Sequence, residues 1–251
     1  MITSRSNPLI KLIRSLERKS VRDEENLFVA EGVKSVAEAV SSGFGVKAFV
    51  GTEKGFSLLA AHGVVTAETV GADVQTVTDD VFKSISGEVS PQGVLALVKK
   101  PVNAVVPSVG SCLFLDGVQN PANVGAIIRT AAAAGYVGAY LADCADAFGG
   151  KAVRASMGGV FRIPLVSGDR DTLISVIDKP FIVADMNGKN VFTRKKRGDF
   201  CLVIGNEGNG VSERLKSIAG ETVSIPMENG TESLNAAVSA GILMYALKEF
   251  Y

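Results

Sequence analysis

Cysteine and histidine are scarce in this 251-residue sequence, and each scarcity removes a class of chemistry. The three cysteines, Cys112, Cys144 and Cys201, are odd in number, far apart and set in or beside apolar runs such as SCLFLD and FCLVIG. No CxxC or Cys/His spacing occurs, so neither a zinc site nor a disulfide framework is expected, and the thiols read as buried and inert. His62 is the single histidine. A Ser-His-Asp triad or a histidine metal site would rest on it alone, and its setting, AAHGVV, reads as a loop. Long apolar runs are also missing: none reaches the roughly 18 to 20 residues that cross a bilayer. The opening MITSRSNPLIKLIRSLERK lacks the apolar core and small-residue cleavage site of a secretory signal. These absences point to a cytoplasmic protein with no metal and no membrane partner.

Net charge is zero, from 26 basic and 26 acidic residues, so composition announces no nucleic-acid partner. Distribution says more. Between Met1 and Arg22 the basic residues Arg5, Lys11, Arg14, Arg18, Lys19 and Arg22 face the single acid Glu17, and a second cluster runs Arg194-Lys195-Lys196-Arg197. Local basic patches bind phosphates even on a neutral protein, and a solvated face accounts for them equally.

With 47% hydrophobic and 21% charged residues, the chain has the composition of a folded globular protein rather than a disordered one. Leu9, Leu12, Ile13 and Leu16 form one apolar stripe of a helix, and Val33, Val36, Ala37 and Val40 form another. Strands are expected at LFVAEG, VKAFVG, VQTVT and GVLALV, with Asp79 capping a short helix DVFKSIS. This alternation fills about 100 residues, enough for a small α/β domain. Residues 101–111, with Pro101 and Pro107, read as a linker. Beyond it, CLFLD, AYLAD, VFRIPLV, FIVAD, CLVIG and TVSIP are apolar strands separated by helices. That pattern points to a parallel sheet covered on both faces.

Three segments in this second half carry polar, glycine-bearing loops at strand ends, where ligands of open α/β sheets bind. In LDGVQNPANVGAIIRTAAAAG a helix begins near Asn123, and Arg129 follows among small and apolar residues. The helix start offers free N–H groups to an anion. In CLVIGNEGNGVSE, Gly205, Gly208 and Gly210 expose backbone that can grip a flat polar ligand, with Glu207 in their midst and Ser212 capping the next helix. The glycine spacing is not that of the dinucleotide fingerprint. In TVSIPMENGTESLNAAVSAGILMYAL, Ser233 caps a long apolar helix running from about Leu234 to Phe250, and Asn235 adds an amide at its start. Taken singly, a strand-turn-helix with a surface arginine, a glycine-rich surface loop and a plain cap explain these segments as well.

In order, the three segments resemble the signature motifs of the SpoU/TrmH family of RNA ribose 2'-O-methyltransferases, part of the SPOUT superfamily. KAVRASMGGVFRIPLV, residues 151–166, resembles the family's stretch between the first and second motifs. SNPLIKLIRSL, FVAEGVKSVAEAV and SPQGVLALV are similar to its RNA-binding domain, itself similar to certain ribosomal proteins. The resemblance therefore covers nearly the whole chain. It implies an RNA substrate-binding domain over residues 1–100 and, over 112–251, an α/β domain whose parallel sheet is closed by a trefoil knot. It implies S-adenosylmethionine as cofactor, held near Gly205, Ile225, Met227, Leu234 and Asn235, and a homodimer in which Arg129 works near the partner's cofactor. Arg129 is then the catalytic arginine, with Asn123, Glu207, Ser233 and Asn235 orienting the ribose or the arginine. The RNA face would use Arg5, Lys11, Arg14, Arg18, Lys19 and Arg22.

The substrate implied is RNA, ribosomal RNA ahead of transfer RNA, because the shorter relatives typical of the latter lack a front domain. One departure stands out: Asn120 precedes Pro121 where many relatives have an acid. A catalytically silent RNA-binding or ribosome-assembly protein on the same fold is the competing expectation.

Overall fold

The computed structural model describes residues 1–64, 66, 71–194, 198–230 and 233–248. The chain divides into two compact units, one formed by Met1–Val102 with Phe148–Phe161, the other by Asn103–Ala147 with the residues from Arg162 onward.

In the first unit, α1 (Pro8–Ser15) starts under the Asn7 side chain, which accepts from the Leu9 N–H, and it buries Ile10 and Ile13. It is followed by α2 (Lys19–Glu25), β1 (Leu27–Glu31), α3 (Val33–Ser41), β2 (Val46–Gly51), α4 (Glu53–Ala61), β3 (Asp73–Thr76), α5 (Asp79–Lys83) and β4 (Val94–Lys99). The sheet order is β1-β4-β2-β3. β4 runs antiparallel to both β1 and β2, and β3 lies parallel to β2. Thr78, not Asp79, caps α5: its hydroxyl accepts from the Val81 N–H, and Asp79 is already helical. His62 ends α4 with its ring against the Leu58 carbonyl.

The later segment of this unit holds α7 (Gly150–Ser156) and a 3₁₀ turn at Gly159–Phe161. Phe148 and Phe161 close on Phe28 of β1 at centroid distances of 4.9 and 5.9 Å, and Phe161 meets Phe44 edge-on at 5.1 Å. Arg154 bonds Glu88 at 2.9 Å and lies 3.7 Å from the buried Glu31. So KAVRASMGGVF, expected within the second domain, is part of the first unit up to Phe161.

The second unit contains β5 (Cys112–Asp116), α6 (Pro121–Ala133), β6 (Ala139–Ala142), β7 (Leu165–Gly168), α8 (Arg170–Ser175), β8 (Phe181–Asn190), β9 (Cys201–Gly205), α9 (Glu213–Ser217), β10 (Glu221–Ser224) and α10 (Ala236–Leu247). Its sheet, ordered β10-β8-β9-β5-β6-β7, is parallel at every pairing. The apolar runs explain this: β5 is buried along its whole length, as a strand covered on both faces requires. Phe114, Phe181, Val183 and Val203 join Leu173 of α8 and Leu215 of α9 in one cluster. The alternate residues Leu113, Leu115, Leu202 and Ile204 are buried too and point the other way. α10 packs against α6 and β9. VFRIPLV is not one strand, because Pro164 separates the 3₁₀ turn from β7. Cys112 and Cys201 are buried free thiols, and burial pushes the half-buried Cys144 up to about 11.

Candidate functional site

The carboxyl ends of β5, β8, β9 and β10 lie side by side, so the loops that follow them share one edge of the sheet. Asp116 ends β5 almost fully buried. One of its oxygens accepts from Arg170 Nε at 2.6 Å and the other from the Ser212 N–H at 2.7 Å. A buried carboxylate needs such partners, and these tie the β5 end to the far end of the β9 loop. Ser212 stands before α9, but its hydroxyl makes no capping bond.

The β9 loop is drawn tight. Asn206 and Gly210 exchange backbone hydrogen bonds at 3.0 Å. The Asn206 amide donates to the Gly117 carbonyl at 2.7 Å and accepts from the Gly208 and Asn209 N–H groups. A Cβ at position 205 would sit 2.2 Å from the Gly210 carbonyl carbon, so only glycine allows this approach.

Glu207 then reaches across to the start of α6. Its carboxylate accepts from the Gln119 N–H at 3.1 Å, the Asn120 N–H at 3.2 Å and Asn123 Nδ2 at 3.0 Å. This is an anion at a helix N-terminus, where the dipole and free N–H groups favour it. Burial acts to raise the Glu207 carboxyl, but the Asn123 amide and the backbone N–H groups of Glu207, Gln119 and Asn120 outweigh it and hold it below its ordinary value. Asn120 caps α6 through the Ala122 N–H, with Pro121 at the first helical position. The helix thus begins at Pro121, two residues ahead of Asn123.

Asn123 is buried, and its carbonyl oxygen accepts from Asn235 Nδ2 at 3.1 Å. Asn235 in turn caps α10, accepting from the Ala237 and Val238 N–H groups. Ser233 is therefore not the cap. The helix starts three residues later than Ser233, at Ala236. Glu207, Asn123 and Asn235, one from each polar segment, form a single relay.

Beside the relay lies a cleft of about 830 Å³. Every residue expected to bind cofactor lines it (Gly205, Ile225, Met227, Leu234 and Asn235), as do Glu207 and Ser233. Residues missed from the sequence line it too: Asp185, Asn187 and Lys216. Asp185 closes the apolar run FIVAD, so the strand-end argument used for the other loops could have found it.

Arg129 does not join the relay. It lies six residues after Asn123, about 240° around the helix, is exposed, and its side chain has no hydrogen bond or ion pair among the described residues. The basic residues at the front differ among themselves. Lys11 and Arg18 are exposed, and Arg14 donates to the Ser84 carbonyl. Arg5 pairs with Asp80 and Lys19 with Asp23. Arg22 is buried: its guanidinium donates to the Leu16 and Glu17 carbonyls at 2.6 and 2.8 Å, which removes it from the basic face. In the second cluster, Arg194 pairs with Glu221 at 2.7 Å and covers Phe200, while Lys195, Lys196 and Arg197 lie outside the described residues.

A parallel α/β unit with glycine-tight loops and a cleft at its strand ends defines a small-molecule-binding enzyme fold. Residues 110–245 match the model of the SpoU rRNA Methylase family, and residues 7–96 match that of the MRM3-like substrate binding domain. The chain is 32% identical to the 23S rRNA (guanosine(2553)-2'-O)-methyltransferase RlmP of Bacillus subtilis (strain 168), over 98% of each chain. Its structure is similar to the AdoMet-bound rRNA methyltransferase of Sinorhizobium meliloti, with TM-score 0.86 and 32% identity over 98% of this chain and 96% of that one. It is also similar to the SpoU methyltransferase AviRb of Streptomyces viridochromogenes in complex with AdoMet, with TM-score 0.83 and 25% identity over 96% and 97% of the two chains. The chain belongs to the SpoU rRNA methylase family.

Proposed function

We propose that this chain transfers the methyl group of S-adenosylmethionine to a ribose 2'-hydroxyl of ribosomal RNA. The observation that carries the reading is the relay of Glu207, Asn123 and Asn235, which holds three strand-end loops together beside the cleft. Relatives named for 23S rRNA 2'-O-methylation and neighbours holding AdoMet support it.

The cleft fits such a cofactor. Its volume falls in the range of small-molecule sites. Ile204, Ile225, Met227, Leu234 and Leu243 supply an apolar lining for a base, and the close approach at Gly205 presents backbone groups to its edge. Bound there, S-adenosylmethionine supplies a methyl group on a sulfonium, so the leaving group needs no activation. The chain's task is to place the hydroxyl and steady its developing charge. Arg129, exposed and without a partner among the described residues, suits a target phosphate and the nascent alkoxide. A guanidinium with pKa above about 12 remains charged, which favours this role over that of a base.

The same reading makes the first unit the RNA-binding part, with Lys11, Arg14 and Arg18 on its exposed basic face and Arg5 and Lys19 beside it, already paired with acids. It makes the molecule a cytoplasmic homodimer with a trefoil knot in the second unit. The exposed Leu234 and Val238 support self-association. No helix among the described residues is long and apolar enough to cross a membrane.

The test is transfer of radiolabelled methyl from S-adenosylmethionine to ribosomal RNA by the wild type and by Arg129→Ala. The expected result is label in a 2'-O-methyl nucleoside, lost by at least about a hundredfold in the variant while cofactor affinity is kept. Sedimentation equilibrium on the same samples checks the dimer. Label on a base, or full transfer by Arg129→Ala, would overturn the mechanism.

A further inference from the structure

Apolar and polar side chains both line the cleft, and an ion pair stands among them. Among the described lining residues the charged ones are Asp185, Glu207 and Lys216. Glu207 is already engaged by the start of α6. That leaves Asp185 and Lys216, whose Oδ2 and Nζ lie 3.1 Å apart.

The pair is built rather than incidental. Asp185 stands on β8, and its Oδ1 accepts the Asn187 N–H at 3.0 Å, which fixes the carboxylate. That backbone bond, reinforced by Lys216 against the effect of burial, holds its carboxyl below the ordinary value. The hydrogen bond to Asp185 raises the Lys216 ammonium, so both groups are charged at neutral pH. Neither is saturated. Lys216 has three donors, engaged by Asp185 and more loosely by Glu213 at 3.4 Å. Asp185 has about four lone-pair sites and two partners.

A fixed anion beside a fixed cation, on the wall of the cleft, matches a ligand that carries both charges on groups attached to one carbon. An α-amino acid zwitterion is such a group: its carboxylate meets Lys216 and its ammonium meets Asp185. We propose that Asp185 and Lys216 form the subsite for the amino-acid end of the methyl donor, a placement that rests on the reading given under Proposed function. The adenine then occupies the apolar stretch around Ile225 and Leu234, and the ion pair distinguishes the full cofactor from fragments lacking the amino-acid tail.

The experiment is calorimetric binding of S-adenosylhomocysteine, of 5'-methylthioadenosine (which lacks the amino-acid group) and of decarboxylated S-adenosylmethionine (which lacks only the carboxylate). Wild type, Lys216→Met and Asp185→Asn are compared. Wild type should prefer S-adenosylhomocysteine over 5'-methylthioadenosine. Each variant should lose about tenfold in affinity for S-adenosylhomocysteine and keep its affinity for 5'-methylthioadenosine, which also reports that the cleft is folded. Lys216→Met should leave decarboxylated S-adenosylmethionine unaffected, because the group it would have met is gone. Equal losses for 5'-methylthioadenosine, or unchanged affinity for S-adenosylhomocysteine, would overturn the assignment and leave the pair a scaffold for β8 and α9. Failure of the wild type to bind any of the three would instead overturn the cofactor reading itself.

Discussion

Glu207 is exposed, yet three donors converge on its carboxylate, and the balance of burial and hydrogen bonding leaves it easier to ionise than a free glutamate. A carboxyl whose folded pKa is depressed contributes stability above its unfolded pKa of roughly 4.3 and loses that contribution as pH falls through the folded value. Glu207→Gln keeps the shape and removes the charge at the helix start. The expected loss is about 1 kcal/mol at neutral pH by urea denaturation. The gap between variant and wild type should shrink as pH falls below about 4. A gap independent of pH would show that the charge is not what holds α6. The presence of a polar residue here was legible, since a glutamate amid glycines after an apolar strand invites a ligand or a cap. Its partners were not: Asn123 lies 84 residues away, and the second link of the relay spans 112. Separations of that size carry no local signal.

At the scale of elements, the strands were more legible than the helix starts. CLFLD and CLVIG are apolar up to their last residues, Asp116 and Gly205, and lie as neighbours in register, Cys112 opposite Cys201. Caps are decided by one torsion and one hydrogen bond, so the residue type alone left Ser233 and Asn235 both eligible. The structure selects Asn235, which caps α10 through two N–H groups and also reaches Asn123. Asn235→Ala should therefore destabilise the chain by about 1 to 2 kcal/mol. Ser233→Ala, at an exposed position outside the helix, should stay within about 0.5 kcal/mol. Thermal unfolding of the two variants decides it. Equal losses would mean that Ser233 shares in holding the helix start.

The molecule as a whole divides differently from its sequence. A proline-bearing stretch at 101–111 suggests one boundary, and the contacts do change near Val102, but Phe148–Phe161 returns to the first unit. Nothing in KAVRASMGGVF announces this, because an apolar segment shows that it will be buried and not against what. Phe28 shows the consequence: it is fully buried, with Phe148 and Phe161 both against its ring. The first unit thus borrows part of its core from residues that follow α6 and β6 in the chain, and its stability depends on them. Phe161→Ala should cost about 3 kcal/mol through lost burial and the cavity left behind. Hydrogen exchange locates that cost. Amide protection should fall in β1 and β4, which carry the first unit's core, while β5 and β9 hold their wild-type protection. Loss confined to β5 and β9 would return the segment to the second unit.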